Sequence, residues 1–217
     1  MALKYMTKDL LIVFVKNIKL GKVKTRLAKT IGNEAAFEVY KELVKVTENA
    51  TKNLKIDIHI YFSDAVIETK WKDFHKAIQV GEDLGERMQN AFKNGFTSGY
   101  ERISLIGSDL PDINESHINE GFKKLNNFEV VIGPAEDGGY YFLGMTKMHP
   151  FIFEKKPWSQ QNLLEETLNE LTQRNIKFSK LVTLNDIDTY EDLIASSFYK
   201  SNLKLQEKIN QLNDQNN

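Results

Sequence analysis

The chain has 217 residues, enough for one domain with a sizeable core, and its 41% hydrophobic and 27% charged residues are those of an ordinary globular protein. A formal net charge of −1 argues against an electrostatic grip on nucleic acid, which needs a basic domain or stripe. With no cysteine in the chain, disulfides, thiolate zinc sites and thiol nucleophiles are excluded.

The opening Met1–Met6 lacks the apolar core of a signal peptide. The longest apolar runs are a strand long, far short of the ~20 residues of a membrane helix. No membrane span is expected, and the cytoplasm is the expected compartment.

Leu10–Val15 is a continuous branched apolar run, the pattern of a strand buried on both faces. A polar loop, Lys16–Lys24, follows. A helical stretch then runs to about Asn53, broken at Gly32–Asn33, with Ala36, Tyr40, Leu43, Val44 and Thr47 as its apolar stripe. Ile56–Phe62 is the second strand. Trp71–Val80 is ambiguous between a helical turn and a strand. Leu84–Phe96 is a helix, Ile103–Ile106 a strand, Asn114–Leu125 a helix, and Val130–Ile132 and Tyr140–Met145 are strands. Asn162–Arg174 is a helix with Leu164, Leu168 and Leu171 on one face, Phe178–Leu184 the last strand and Thr189–Phe198 the last helix. This alternation predicts an α/β domain over residues 1–199 with a mostly parallel sheet. The polar tail, 200–217, is either disordered or a marginal helix with Leu205, Ile209 and Leu212 on one side.

In open α/β sheets ligands bind beyond the carboxyl ends of the strands, so the residues after each strand carry the chemistry. After the first strand, Lys16, Lys19, Lys22, Lys24 and Arg26 crowd a loop that enters a helix, a setting that suits a diphosphate. A solvated basic loop is the plainer alternative. The loop has neither the P-loop nor the dinucleotide glycine pattern.

Asp109 follows a hydrophobic strand, where a carboxylate is costly unless hydrogen-bonded, exposed or bound to a metal. Asp112 and Glu115 have capping-box spacing. Gly133–Tyr141 contains Asp137–Gly138–Gly139, which is either a tight hairpin turn or a place where backbone approaches a ligand and Asp137 serves as a base or orienting group. Asp186 and Asp188 lie on an extended segment and are expected to face opposite sides, so that one reaches a shared metal. Capping boxes Asp188–Glu191 or Thr189–Asp192 begin the next helix. The turn around Gln79, Gly81 and Asp83 is either an ordinary loop or a contact to a base or ribose. The four histidines show no ligand spacing.

Taken in order, Lys22–Leu27, Asp83–Met88, Gly107–Asp112, Gly133–Tyr141 and Asp186–Leu193 resemble the bacterial GT-A-like glycosyltransferase family once known only as a domain of unknown function and associated with arsenosugar biosynthesis. More distantly, the pattern is similar to the nucleotidyltransferases of molybdenum-cofactor and coenzyme F420 pathways. The resemblance implies a GT-A fold, a nucleotide or nucleotide-sugar substrate, a small acceptor, and Mg²⁺ or Mn²⁺. It places Lys24 and Arg26, with Lys16 and Lys22, on the diphosphate. Asp109 and either Asp186 or Asp188 take the metal, Asp137 faces the acceptor, and Gly81, Gly138 and Gly139 lie along the nucleotide. Glycosyl transfer is the expected reaction, nucleotidyl transfer the alternative, and a non-catalytic nucleotide-binding protein the third reading.

Overall fold

Strand β1 (Asp9–Val15) shows why the chain layers as it does in the computed structural model, which describes residues 8–215. Its side chains alternate: Leu11, Val13 and Val15 enter one apolar cluster, while Leu10, Ile12 and Phe14 enter another on the opposite face. Both faces are therefore covered, and the strand is apolar throughout. The opening segment read for a leader lies outside the described residues, as do Asn216 and Asn217.

Around β1 assembles a seven-stranded sheet of order β3-β2-β1-β4-β6-β5-β7. Its strands are β2 (Asp57–Phe62), β3 (His75–Ile78), β4 (Arg102–Ile106), β5 (Val130–Pro134), β6 (Tyr140–Met145) and β7 (Phe178–Lys180). All neighbours pair parallel except β6, which runs antiparallel between β4 and β5. Helices α2 (Asn33–Thr51) and α4 (Glu115–Lys124) supply Tyr40, Val44, Ile118 and Phe122 to one face. Helices α3 (Leu84–Thr97) and α5 (Leu163–Gln173) supply Met88, Phe92 and Leu171 to the other. This is a three-layer α/β fold with a mostly parallel mixed sheet.

The helix expected to break at Gly32 does so: α1 (Thr25–Ile31) ends at Gly32, whose φ of 81° stops it, and α2 begins one residue later. The predicted stripe of α2, Ala36 to Thr47, is buried throughout. Beyond shifts of one or two residues at element ends, three readings change. The ambiguous stretch contains β3. The last strand is three residues long, extended only by a bridge from Leu184 to Ala135. The last predicted helix is two, α6 (Tyr190–Ala195) and α7 (Ser197–Ser201), because extended Ser196 caps the second through its side chain.

Residues 203–215 form helix α8. Its Leu205 and Ile209 are buried against Leu27, Ile31, Val39 and Leu43 of α1 and α2, with Ile187 and Leu193 closing the cluster. Contact with an apolar face, rather than propensity, holds this polar sequence as a helix. Among the described residues no helix is long and apolar enough to cross a membrane.

Candidate active site

All the strand exits named by the sequence open onto one cavity of about 660 Å³ at the carboxyl edge of the sheet. Tyr40 of α2 ties two of them together. Its hydroxyl accepts from the Lys16 backbone N–H at 3.0 Å and lies 2.9 Å from Ser108 Oγ, joining the ends of β1 and β4. Burial first, then the Asp109 charge, raises its phenol to about 12 against the hydrogen bond from Ser108, so it stays protonated and acts as a tie. Asn17 pins the β2 exit, accepting from the N–H groups of Asp64 and Ala65 and donating to the Ala65 carbonyl.

At the cavity's centre three carboxylates converge. Asp109 leaves β4, Asp186 and Asp188 leave the β7 side, and one oxygen from each lies within 4.8 Å of the others. The expectation that Asp186 and Asp188 face opposite sides is corrected here. An extended chain repeats every two residues, so i and i+2 return to the same side. Ile187, between them, points the other way and is buried with Leu193 and Leu205.

Lys24 answers these carboxylates. Its ammonium is 3.1 Å from Asp109 Oδ2 and 3.0 Å from Asp188 Oδ1, and its side chain is 4% exposed. Burial works against its charge, but Asp109, Asp188 and Asp186 outweigh it and raise the pKa further. Lys24 is the residue before α1, in the left-handed conformation with φ 47°. That uncommon backbone for a non-glycine residue accompanies an inward-directed side chain. Arg26 remains exposed, 3.6 Å from Asp188 Oδ2. Asp186 is pushed up to about 7, by burial first and then by Asp109, against the pull of Lys24. The cluster therefore holds more negative charge than Lys24 alone satisfies, with hard oxygen donors of the kind Mg²⁺ and Mn²⁺ take.

The other predicted residues divide. Lys16, Asp137 and Gly139 line the cavity. Lys22, Gly81 and Gly138 are not among its lining residues. Gly81, with φ 147°, is needed because a Cβ there would stand 2.7 Å from the Arg87 nitrogen. Gly138, with φ 86°, packs on the Gln161 carbonyl where a Cβ would collide. Asp137–Gly139 is thus a turn and a cavity wall at once: Gly139 N–H donates to Asp137 Oδ1 at 2.8 Å. Asp112 is not the cap of α4. Asn114 takes that place, accepting from Ser116 and His117, since it directly precedes the first helical turn. Of the two boxes near Asp188, Thr189–Asp192 forms.

Among the polar lining residues that sequence reasoning did not single out are Arg87, Ser159 and Gln160. Arg87 lies on α3, its Nε donating to the Gly81 carbonyl at 3.0 Å. Ser159 and Gln160 belong to a segment before α5 that carries no motif, and Trp158 beside them packs on Gly85 of α3. Arg87 stood within the quoted Asp83–Met88 stretch, where its cation was the signal.

The family model described as "Uncharacterized protein conserved in bacteria (DUF2064)" matches residues 46–160. Two curated relatives are 2-phospho-L-lactate guanylyltransferases. That of Methanocaldococcus vulcanius is 25% identical over 184 residues, 84% of this chain and 82% of its own. That of Methanocaldococcus jannaschii is 27% identical over 178 residues, 80% and 76%. A crystal structure from Desulfovibrio desulfuricans G20, of a protein assigned by inference as a nucleotide-diphospho-sugar transferase, superposes with a TM-score of 0.81 at 31% identity, covering 95% of this chain and 99% of that one. The fold is thus nucleotide-diphospho-sugar transferase-like.

Proposed function

The chain belongs to the DUF2064 family of proteins conserved in bacteria, and from its cavity we propose that it is a nucleotidyltransferase joining a nucleoside triphosphate to a phosphorylated small molecule. The observation that carries this reading is the meeting of Lys24 with Asp109, Asp186 and Asp188 between two differently lined ends of one cavity. The guanylyltransferase relatives, aligned over about four-fifths of the chain, favour this reaction over the glycosyl transfer expected from the sequence.

In this reaction an acceptor phosphate oxygen attacks the α-phosphorus of the triphosphate. A new P–O bond forms, the bond from the α-phosphorus to the β-bridging oxygen breaks, and pyrophosphate leaves with the electron pair. An acceptor phosphate that is already a dianion needs no general base, which makes Asp137 an orienting group here. Lys16, Arg26 and Arg87 would hold the triphosphate in line, and positioning of this kind supplies much of the acceleration in phosphoryl transfer.

Asp109, Asp186 and Asp188 would hold Mg²⁺ or Mn²⁺, whose charge offsets that of the leaving pyrophosphate. Lys24 and a dication claim the same carboxylates. The nucleotide's phosphates offer Lys24 an alternative anion, so metal and nucleotide are expected to bind cooperatively.

The test is product identity. Incubation with each of the four nucleoside triphosphates, phosphorylated acceptors and Mg²⁺ or Mn²⁺ should release pyrophosphate. The second reading, sugar transfer, is favoured by the assignment of the Desulfovibrio desulfuricans protein. Release of nucleoside diphosphate from a nucleotide-sugar, with no pyrophosphate from any triphosphate, would replace the first reading by the second.

A further inference from the structure

The cavity's cations come from the parallel flank of the sheet. Lys16 follows β1, Lys24 and Arg26 stand at α1, and Arg87 is on α3. The hairpin end is walled by the β5–β6 turn, from Ala135 to Tyr141, and by Ser159 and Gln160, whose neighbour Gln161 packs on Gly138. Among the described residues lining that end there is no lysine, arginine or histidine. Its charged group is a carboxylate, Asp137, exposed and with Oδ1 engaged by the Gly139 N–H. Ser159 and Gln160 are exposed. Tyr141 is fixed as a wall, its hydroxyl donating to the Val182 carbonyl at 3.0 Å.

We propose that this end selects an acceptor whose body is a hydroxyl-bearing polyol or sugar, with the reacting phosphate as its one anionic group. The inference rests on the nucleotidyl-transfer reading and narrows its substrate class. A second anion, such as a carboxylate beside the phosphate, would lose hydration here without gaining a cation, and would face Asp137. Hydroxyl groups meet the opposite situation. They donate to the Asp137 carboxylate and exchange hydrogen bonds with the Gln160 amide and the Ser159 hydroxyl. By this chemistry the chain departs from its curated relatives, whose named acceptor, 2-phospho-L-lactate, carries a carboxylate.

A matched pair tests it. Glycerol 3-phosphate and 3-phosphoglycerate differ in a hydroxymethyl group against a carboxylate. Pyrophosphate release should give at least a tenfold higher kcat/KM for glycerol 3-phosphate, and likewise for inositol 1-phosphate over 2-phospho-L-lactate. Gln160→Lys, which brings a cation to this end, should shift the ratio at least tenfold towards the phospho-acids. Wild-type enzyme that releases pyrophosphate chiefly with the phospho-acids would overturn the inference and leave nucleotidyl transfer standing. Pyrophosphate from no acceptor, with nucleoside diphosphate from a nucleotide-sugar, would overturn both.

Discussion

The two flanks of the sheet are built differently. On one, β3, β2, β1 and β4 run parallel, and the loops leaving them bring the cavity's cations. On the other, antiparallel β6 turns the edge into a hairpin that brings tyrosines, a glycine and a carboxylate. A parallel exit ends in a loop free to carry phosphate-binding charge, and a hairpin ends in a turn whose backbone geometry limits what it can carry. At the junction Lys24 reaches from the first flank to carboxylates that include Asp188 of the second.

Breaking the junction should have the largest effect. Asp109→Asn is expected to lower pyrophosphate release by about 10²–10³-fold, the usual cost of one preorganised electrostatic contact, with an unchanged far-UV circular dichroism spectrum. Retained turnover would remove Asp109 from the chemistry.

A change remote from the cavity shows whether the flanks share one scaffold. Leu205→Ala on α8 deletes a buried side chain from the α1–α2 cluster and should cost about 2–4 kcal/mol, lowering Tm by several degrees in thermal unfolding. No change in Tm would mean that α8 does not stabilise the α1 loop bearing Lys24 and Arg26.

The parallel flank also carries a pH-dependent element. His59 and His75, on β2 and β3, have ring centroids 4.3 Å apart. Burial first, then His75, lowers His59 to about 4, partly opposed by Asp57. Its folded pKa lies below the ordinary value of 6.5, so the unfolded chain takes up the proton first. Stability from neutral His59 is complete above about pH 6.5 and lost as pH falls towards 4. Tm measured from pH 7.5 to 4.5 should fall less steeply in His59→Phe than in the wild type, and parallel curves would contradict this.

The smallest effect should come from Lys22→Ala. Lys22 is exposed and outside the cavity lining, so stability should stay within about 0.5 kcal/mol and turnover within twofold. The sequence alone grouped Lys22 with Lys24, and the contrast between the two separates a solvated cation from one committed to the site.

That pairing shows what the sequence could convey. Runs such as Leu10–Val15 and the stripe of α2 were legible because burial on both faces, or on one helical face, writes directly into residue spacing. Asp109, Asp186 and Asp188 were legible as carboxylates at strand ends. Their convergence, and the inward turn of Lys24 at φ 47°, were not, because both depend on contacts between residues 85 and 164 positions apart. Ser159 and Gln160 left no pattern, since a segment positioned by Trp158 against Gly85 needs no periodicity of its own.

The most direct test of the account is a Mn²⁺ titration, following free Mn²⁺ by electron paramagnetic resonance, with wild-type protein, Lys24→Met and Asp109→Asn, each with and without a nucleoside triphosphate. Wild-type protein should bind the ion weakly alone and at least tenfold more tightly with nucleotide. Lys24→Met should bind it tightly without nucleotide, and Asp109→Asn should lose binding in both conditions. Equal affinity for all three proteins would contradict a metal held by these carboxylates in exchange for Lys24.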